Sequence, residues 1–460
     1  MPRHPHSSSS GSDRFDFAII GGGAAGALVA LQLLRAASAG TRIALIEPGT
    51  PGRGVAYGSG DPAHVLNVPA SGMSAYGDAP ADFVEFLRMR EGDVDAAAFR
   101  PRRDYADYLA TRLREAVAAS PASFTHVAET ATAAVPTDDA VVITLADGGT
   151  VKASRAVLAT GNHPRRLPFN IDGDGCVLQA WDGTALARIG VADDVAIIGS
   201  GLSMVDVVLA LEARGHQGRI TALSRHGLAP LAHRREKRKL HLDVHGLEAM
   251  RLHRRVRVLR EIAREAMNAG HGWQDLMDTL RHHVRELWQT LAPEEQRRFL
   301  RHGVRHWDIH RHRIAPQVDV QLAARREAGG FDILAARVTR AVAAGDGICV
   351  SLEPRGGGSE VLRAHWLVNA TGIETRASRF TDPLLASLLR DGHARPGPHD
   401  LGFDTRADGA LLDASGIAQP SIAAIGSLRL GNLWEATAVP DLRVDAAALA
   451  NRWLSGLRSD

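Results

Sequence analysis

The chain has 460 residues, more than one hydrophobic core ordinarily organises, which predicts two or three domains. Hydrophobic residues make up 45% and charged residues 23%, a balance that argues against a disordered or fibrous chain. The net charge of +2 points to no class of partner, and the two cysteines, Cys176 and Cys349, form no Cys-x-x-Cys, which argues against a dithiol relay and a Cys-rich metal site.

Taken in chain order, residues 1–12, "MPRHPHSSSSGS", read as a disordered polar leader without the apolar core of a signal peptide. The longest apolar run, around Ala27 to Ala37, is interrupted by Gln32 and Arg35 and is too short to span a bilayer. With a reducing compartment as the default for a chain poor in cysteine, a cytoplasmic protein with no membrane partner is expected.

"FDFAII" is a buried strand by its continuous apolar run, and "GGGAAG" follows it with Gly21, Gly23 and Gly26 in Gly-x-Gly-x-x-Gly spacing. Gly21 permits the tight turn, Gly23 leaves room for a pyrophosphate, and Gly26 lets the helix pack on the strand. The helix N-terminus offers free N–H groups to the phosphates. The next strand, "RIALIE", ends in Glu47, an acid placed to accept the ribose hydroxyls of an adenosine. An unphosphorylated ribose fits FAD. The segment Gly52 to Ala75 should run along the FAD, with His64 and Asn67 as candidate catalytic groups; the alternative for Asn67 is a loop-stabilising Asx turn.

A β-meander is predicted from Phe124, ending in Ala159-Thr160-Gly161, and the pattern recurs from Phe331 to Ala370-Thr371-Gly372. Gly161 and Gly372 are therefore expected at the seam where two bound cofactors approach. Between the meanders, "VAIIGSGLSMVD" repeats the strand, turn and helix start with Gly199 and Gly201, while Met204 occupies the third glycine position and Ser203 lies in the first helical turn. That helix should pack less closely on its strand. The following strand ends without an acid and carries Ser224 and Arg225, which suit a ribose 2′-phosphate and hence NADPH.

The segment from His233 to Phe299 is helical by pattern, with Pro293 in a first turn, and reads as a lobe inserted at about 233–310 that could be a lid or an oligomer surface. Its basic excess carries no nucleic-acid motif, so small molecules are the expected partners, with a homo-oligomer as a further expectation. "HWDIHRHR" presents His310, Arg311 and Arg313, an anion site for substrate carboxylates or NADPH phosphates, or else structural ion pairing with acids such as Asp308; no metal is expected there. Residues two apart on a helix point about 200° apart, so Arg311 and Arg313 converge only if the run is extended. Towards the C-terminus, Gly426 ends the last predicted strand, and Trp434 is either a wall of the site or a core aromatic.

The expected fold class is α/β: two Rossmann-like dinucleotide-binding domains with β-meanders, plus the helical lobe. The expected boundaries are an FAD-binding part at 13–165, an NADPH-binding part at 166–330, and a second meander with return to the FAD-binding domain at 331–460.

Four further stretches carry a family likeness: "GRGVAYGSGDPAHVLNVPASGMSA", "FRPRRDYADYL", "HWDIHRHRIAP" and "AAIGSLRLGNLWEATAVPDLR". With the two glycine turns, they make the chain resemble the two-dinucleotide-binding-domain flavoproteins, and within them the bacterial FAD/NAD(P)-binding group that includes nitrosuccinate-forming aspartate N-monooxygenases. The resemblance implies an NADPH-consuming FAD monooxygenase using O₂ and a flavin C4a-hydroperoxide to oxygenate the nitrogen of a small amine or amino acid, aspartate among them. Two departures stand out. The Phe-x-Gly-x-x-x-His-x-x-x-Trp fingerprint of Baeyer–Villiger monooxygenases is absent from "LATGNHPRRLPF". Ser427 follows Gly426 where related flavoproteins commonly carry Asp. The competing readings are an NADPH-dependent flavin reductase or oxidase without an oxygenation substrate, and a non-catalytic FAD-binding redox protein.

Overall fold

The computed structural model describes residues 14–457 except Arg235 and Lys237, and the leader expected over residues 1–12 lies outside the described residues. Six strands come first: β1 (Arg14–Ile20), β2 (Arg42–Ile46), β3 (Ser123–Val127), β4 (Ala131–Pro136), β5 (Val141–Leu145) and β6 (Thr150–Leu158). Eight follow: β7 (Asn170–Asp172), β8 (Val177–Gln179), β9 (Val195–Ile198), β10 (Ile220–Ser224), β11 (Phe331–Ala344), β12 (Gly347–Pro354), β13 (Glu360–Ala364) and β14 (Trp366–Asn369). The chain then returns with β15 (Ala410–Leu412) and β16 (Ala418–Ala424). Among the described residues these form two eight-stranded sheets, in orders β15-β16-β6-β1-β2-β3, with the β4–β5 hairpin on β6, and β13-β12-β11-β10-β9-β14-β8, with β7 on β11. The fold is thus α/β with two Rossmann-like units and a helical region.

The second half of β1, Phe17–Ile20, is apolar and buried because both its faces are covered. Phe17 and Ile19 join the core beneath the helices Ala24–Ala36 and Val439–Leu457, with Trp453 stacked on Phe17 at 5.5 Å. Ala18 and Ile20 join the opposite core with the meander. β9 repeats the scheme: Val195 and Ile197 face the helix Leu202–Ala213, and Ala196 and Ile198 face the second meander. Met204, with no exposed surface, fills the helix side of that core.

Two elements differ from the sequence expectation. β11 is more than the first strand of a meander. Phe331–Ala335 pairs parallel with β10, and the remainder pairs antiparallel with β12 across a bulge between Val338 and Arg340. An unbroken period-two run hides such a change of partner. In the helical lobe, the segment expected to be helical by pattern is interrupted after the helix Trp273–Leu280 by a 3₁₀ turn at Arg281–His283, and a π-helical turn at Phe299–Gly303 precedes the helix Val304–Arg311. The lobe docks on the C-terminal segment through Trp288, stacked on Trp434 at 5.1 Å. Among the described residues no helix is long and apolar enough to cross a membrane.

Beside the first sheet, Tyr57 and Phe83 pack edge to face on Tyr105, Phe86 packs edge to face on Tyr108, and Phe83 lies tilted against Tyr108. Burial raises the phenol pKa of all four tyrosines, Tyr76 included, and pushes Tyr57 up to about 12. A phenol whose folded pKa is raised stabilises the fold fully below its unfolded value of about 10, and that contribution is lost as pH climbs through the folded value. Tyrosinate absorbance should therefore stay absent through the range where free tyrosine ionises, then appear together with loss of far-UV ellipticity. Smooth ionisation near the free value in folded protein would contradict this packing.

Candidate active site

The first glycine turn is fixed by sterics. Gly21 has φ +99°, and a Cβ there would lie 2.4 Å from the Ala159 carbonyl oxygen; one on Gly26 would lie 1.9 Å from the Gly21 oxygen. Gly23 is different. A Cβ there would meet only the Gly54 Cα, at 3.6 Å, so its space is left for something other than protein. Glu47 holds its carboxylate at the turn, accepting from Gly22 N at 2.7 Å and Gly49 N at 3.0 Å. The Thr160 hydroxyl, at the end of β6, is buried without a hydrogen-bond partner among the described residues. An open cradle at a helix N-terminus, an adjoining carboxylate and an orphan hydroxyl suit an adenine dinucleotide.

The second turn repeats the first nearly atom for atom. Gly21 N donates to Ile46 O at 2.9 Å and Gly199 N to Leu223 O at 2.8 Å; Ala159 N donates to Ile20 O at 2.8 Å and Ala370 N to Ile198 O at 2.9 Å. Gly199 has φ +112°, and a Cβ on it would sit 2.3 Å from the Ala370 oxygen, whereas one on Gly201 would meet nothing within 4 Å. Ser203 accepts from Trp181 Nε1 at 3.2 Å. Ser224 Oγ lies 2.8 Å from Ser200 Oγ and accepts from Gly227 N at 3.1 Å, so it braces the turn; Arg225 is exposed.

The two Ala-Thr-Gly turns lead into crossings that pair with each other. Glu374 N donates to His163 O at 2.8 Å and Arg165 N to Gly372 O at 3.1 Å. Gly161 and Gly372 both have positive φ. Gly161 O accepts from Ser427 Oγ at 3.0 Å, just past Gly426 at the end of the last parallel strand. The carboxyl edges of the two sheets therefore open towards one seam.

The other expected residues have unequal surroundings. His64 lies between Ser59 Oγ, at 2.7 Å from Nδ1, and the Asp206 carbonyl oxygen, at 3.1 Å from Nε2, so its ring ties the loop to the helix Leu202–Ala213. Arg102 reinforces this with an ion pair to the Asp206 carboxylate at 2.9 Å. Asn67 accepts from His233 Nε2 through its main-chain oxygen at 2.9 Å, and its side chain lines a narrow cavity of about 20 Å³ with Ile314 and Ala315. Arg311 ends its helix and pairs with Glu435 at 3.0 Å. Arg313 lies in the extended chain beyond, 4% exposed, and pairs through Nη2 with Asp278. Its Nε and Nη1 are buried without partners among the described residues, as is Arg311 Nε. Burial pushes the Arg313 pKa down. His310 packs its ring on Trp273, which also carries the Arg313 guanidinium over its face at 5.9 Å, and bonds the His306 main-chain oxygen at 2.7 Å.

Trp434 is held in a strained turn. Its φ of 60° and ψ of −67°, with Glu435 N donating to Leu433 O at 2.8 Å, describe the rare γ-turn with a positive central φ. The turn sets Glu435, 6% exposed, against Arg311 and Trp307 Nε1. Sequence reasoning missed Asp278 and Asp206 and gave Glu435 no ion-pairing role. Only Asp206 left a signal, as an acid inside the otherwise apolar run "LSMVDVVLAL".

Residues 18–163 match a family described as FAD-NAD(P)-binding. No curated protein matches the chain. Among solved structures, the chain is similar to the ornithine N-hydroxylase of Kutzneria sp. 744, with 17% identity, a TM-score of 0.67 and coverage of 97% of this chain and 100% of that one. The L-lysine 6-monooxygenase of Pseudomonas syringae gives 18% identity, a TM-score of 0.63 and coverage of 95% and 99%. The bacillithiol disulfide reductase of Staphylococcus aureus gives 15%, 0.57, and 96% and 99%. These likenesses establish a shared fold along nearly the whole chain.

The two glycines of the second turn separate structure from ligand. Gly199→Ala should lower the thermal midpoint, because strain and clash together cost about 1–3 kcal/mol. Gly201→Ala should leave the midpoint unchanged and weaken NADPH binding, measured by calorimetry, on the order of tenfold or more. Equal effects of the two variants on stability would contradict this division.

Proposed function

We propose that the chain is a flavin-dependent, NADPH-consuming monooxygenase that oxygenates the nitrogen of a small amino acid, with aspartate the first substrate to test. The observation that carries the reading is the pair of superposable glycine turns with unlike ribose sites, Glu47 at one and Ser224-Arg225 at the other, opening on one seam. The matched FAD-NAD(P)-binding stretch covers the first turn. The neighbours whose names state N-hydroxylation or lysine 6-monooxygenation support the reaction class.

FAD at the first turn would supply electron uptake from the nicotinamide and activation of O₂. The protein's own part is binding, orientation and exclusion of water. Glu47 would accept the adenosine ribose hydroxyls and the helix N-terminus at Gly23 would hold the pyrophosphate, with Thr160 Oγ1 and Ser427 available beyond the end of β6. The lobe covers the seam through the Trp288–Trp434 stack and the bidentate Arg285–Asp445 pair at 2.7 and 2.8 Å. Arg313 keeps Nε and Nη1 unpartnered among the described residues in a buried setting, a cation with donors to spare that an anionic group would complement. Arg311 stands beside it, neutralised by Glu435 until an anion competes. Asn67 would orient the substrate through its side-chain amide.

The test is NADPH oxidation by the FAD-loaded protein across amino acids and amines, with products identified by mass spectrometry. Substrate-dependent formation of an N-oxygenated product is expected; conversion of all NADPH electrons to hydrogen peroxide with every compound would overturn the proposal. Arg313→Ala should raise KM for the amino acid by roughly tenfold to a hundredfold, Arg313→Lys should recover part of that loss, and the substrate-free NADPH rate should stay unchanged in both.

A further inference from the structure

Resting on the NADPH reading, the second turn presents a question its sequence does not answer: what grips the 2′-phosphate, if Ser224 Oγ is engaged in bracing its own loop? The edge of the sheet supplies more than Arg225. Ser224 pairs in register with Ala335 on β11. The turn after Ser224 lies on the same residue, since a Cβ on Gly227 would meet the Ala335 Cβ at 3.1 Å. The far side of Ala335 is taken by the meander: Arg355 N, just beyond β12, donates to Ala335 O at 2.9 Å. Ser224, Arg225, His226 and Arg355 therefore stand around one residue, on two chain segments 130 positions apart (355 − 225).

Their charges are unbalanced. Arg225 and Arg355 are both exposed, and neither side chain makes an ion pair or hydrogen bond among the described residues. Neighbouring arginines do find acids: Arg337 pairs with Glu353 at 3.8 Å and Arg326 with Asp332 at 3.2 Å. Burial lowers the His226 pKa, and Arg225, Arg355, His306 and Arg305 push it the same way. Two unpaired guanidinium groups, each in the turn just beyond its strand and both close enough to act on His226, are suited to a phosphate dianion.

We infer that Arg355, at the tip of the second meander, is the partner of Arg225 in a two-armed clamp for the ribose 2′-phosphate, so that the meander carries the selectivity for NADPH over NADH. The probes are adenosine 2′,5′-bisphosphate and 5′-AMP, titrated into the FAD-loaded protein by calorimetry. Native protein should bind the bisphosphate at least about tenfold tighter than AMP. Arg355→Ala should lose about tenfold on the bisphosphate and nothing on AMP, and Arg355→Lys should recover part of the loss. Arg355 is exposed, so an unchanged thermal midpoint certifies the variants. Native affinity for the bisphosphate retained in Arg355→Ala would overturn the clamp and leave the NADPH reading intact. No preference for the bisphosphate in native protein would overturn that reading, and the clamp with it.

Discussion

Two main-chain hydrogen bonds, from Glu374 to His163 and from Arg165 to Gly372, hold the rest of the arrangement in place. They join the two lengths of chain that run out of the ends of β6 and β14 into the opposite unit, and so tie the two sheets together at those ends. Each crossing starts at an Ala-Thr-Gly turn, and each turn is the surface against which the facing Gly21 or Gly199 closes. A side chain on either glycine would strike an alanine carbonyl at 2.4 or 2.3 Å. Nucleotide turn, strand end and crossing are therefore one unit, built twice, and the pairing of the crossings directs both copies to a single seam.

Within that repetition, a few side chains break the symmetry, and function rests on the differences. Glu47 accepts two main-chain N–H bonds where Ser224 braces a loop among cations. Gly26 lets its helix meet the turn, where Met204 fills the space with buried apolar volume. Thr160 keeps an unpartnered hydroxyl, whereas Thr371 donates its own to Asn369 Oδ1 at 2.7 Å. The position before each Ala-Thr-Gly explains that last contrast: Leu158 cannot accept a hydrogen bond and Asn369 can.

What the sequence disclosed, it disclosed through local necessity. Gly21 and Gly199 are legible because a positive φ and a close carbonyl leave glycine as the residue that fits. The second half of β1 and the whole of β9 are legible because strands covered on both faces must be continuously apolar. What stayed hidden depends on distant partners. His64 is an ordinary loop histidine until Asp206 O, from 142 residues away, reaches its ring. Arg311 and Arg313 read as an anion site or as structural pairs, and the structure gives each an acid, Glu435 and Asp278, while leaving donors over. The γ-turn at Trp434 has no sequence signature, since its strain is sustained by the Trp288 stack and the bonds to Glu435. The break at Arg281 is equally silent, because its apolar spacing continues through the 3₁₀ turn.

The central claim is that two different dinucleotides meet across the paired crossings closely enough for electrons to pass. Anaerobic rapid mixing of the FAD-loaded protein with either nicotinamide dinucleotide tests it most directly, with the yellow flavin band as the readout. The account predicts that NADPH bleaches the band fully and far faster than NADH does. A protein that takes up no flavin, or whose flavin is reduced as readily by NADH, would contradict it.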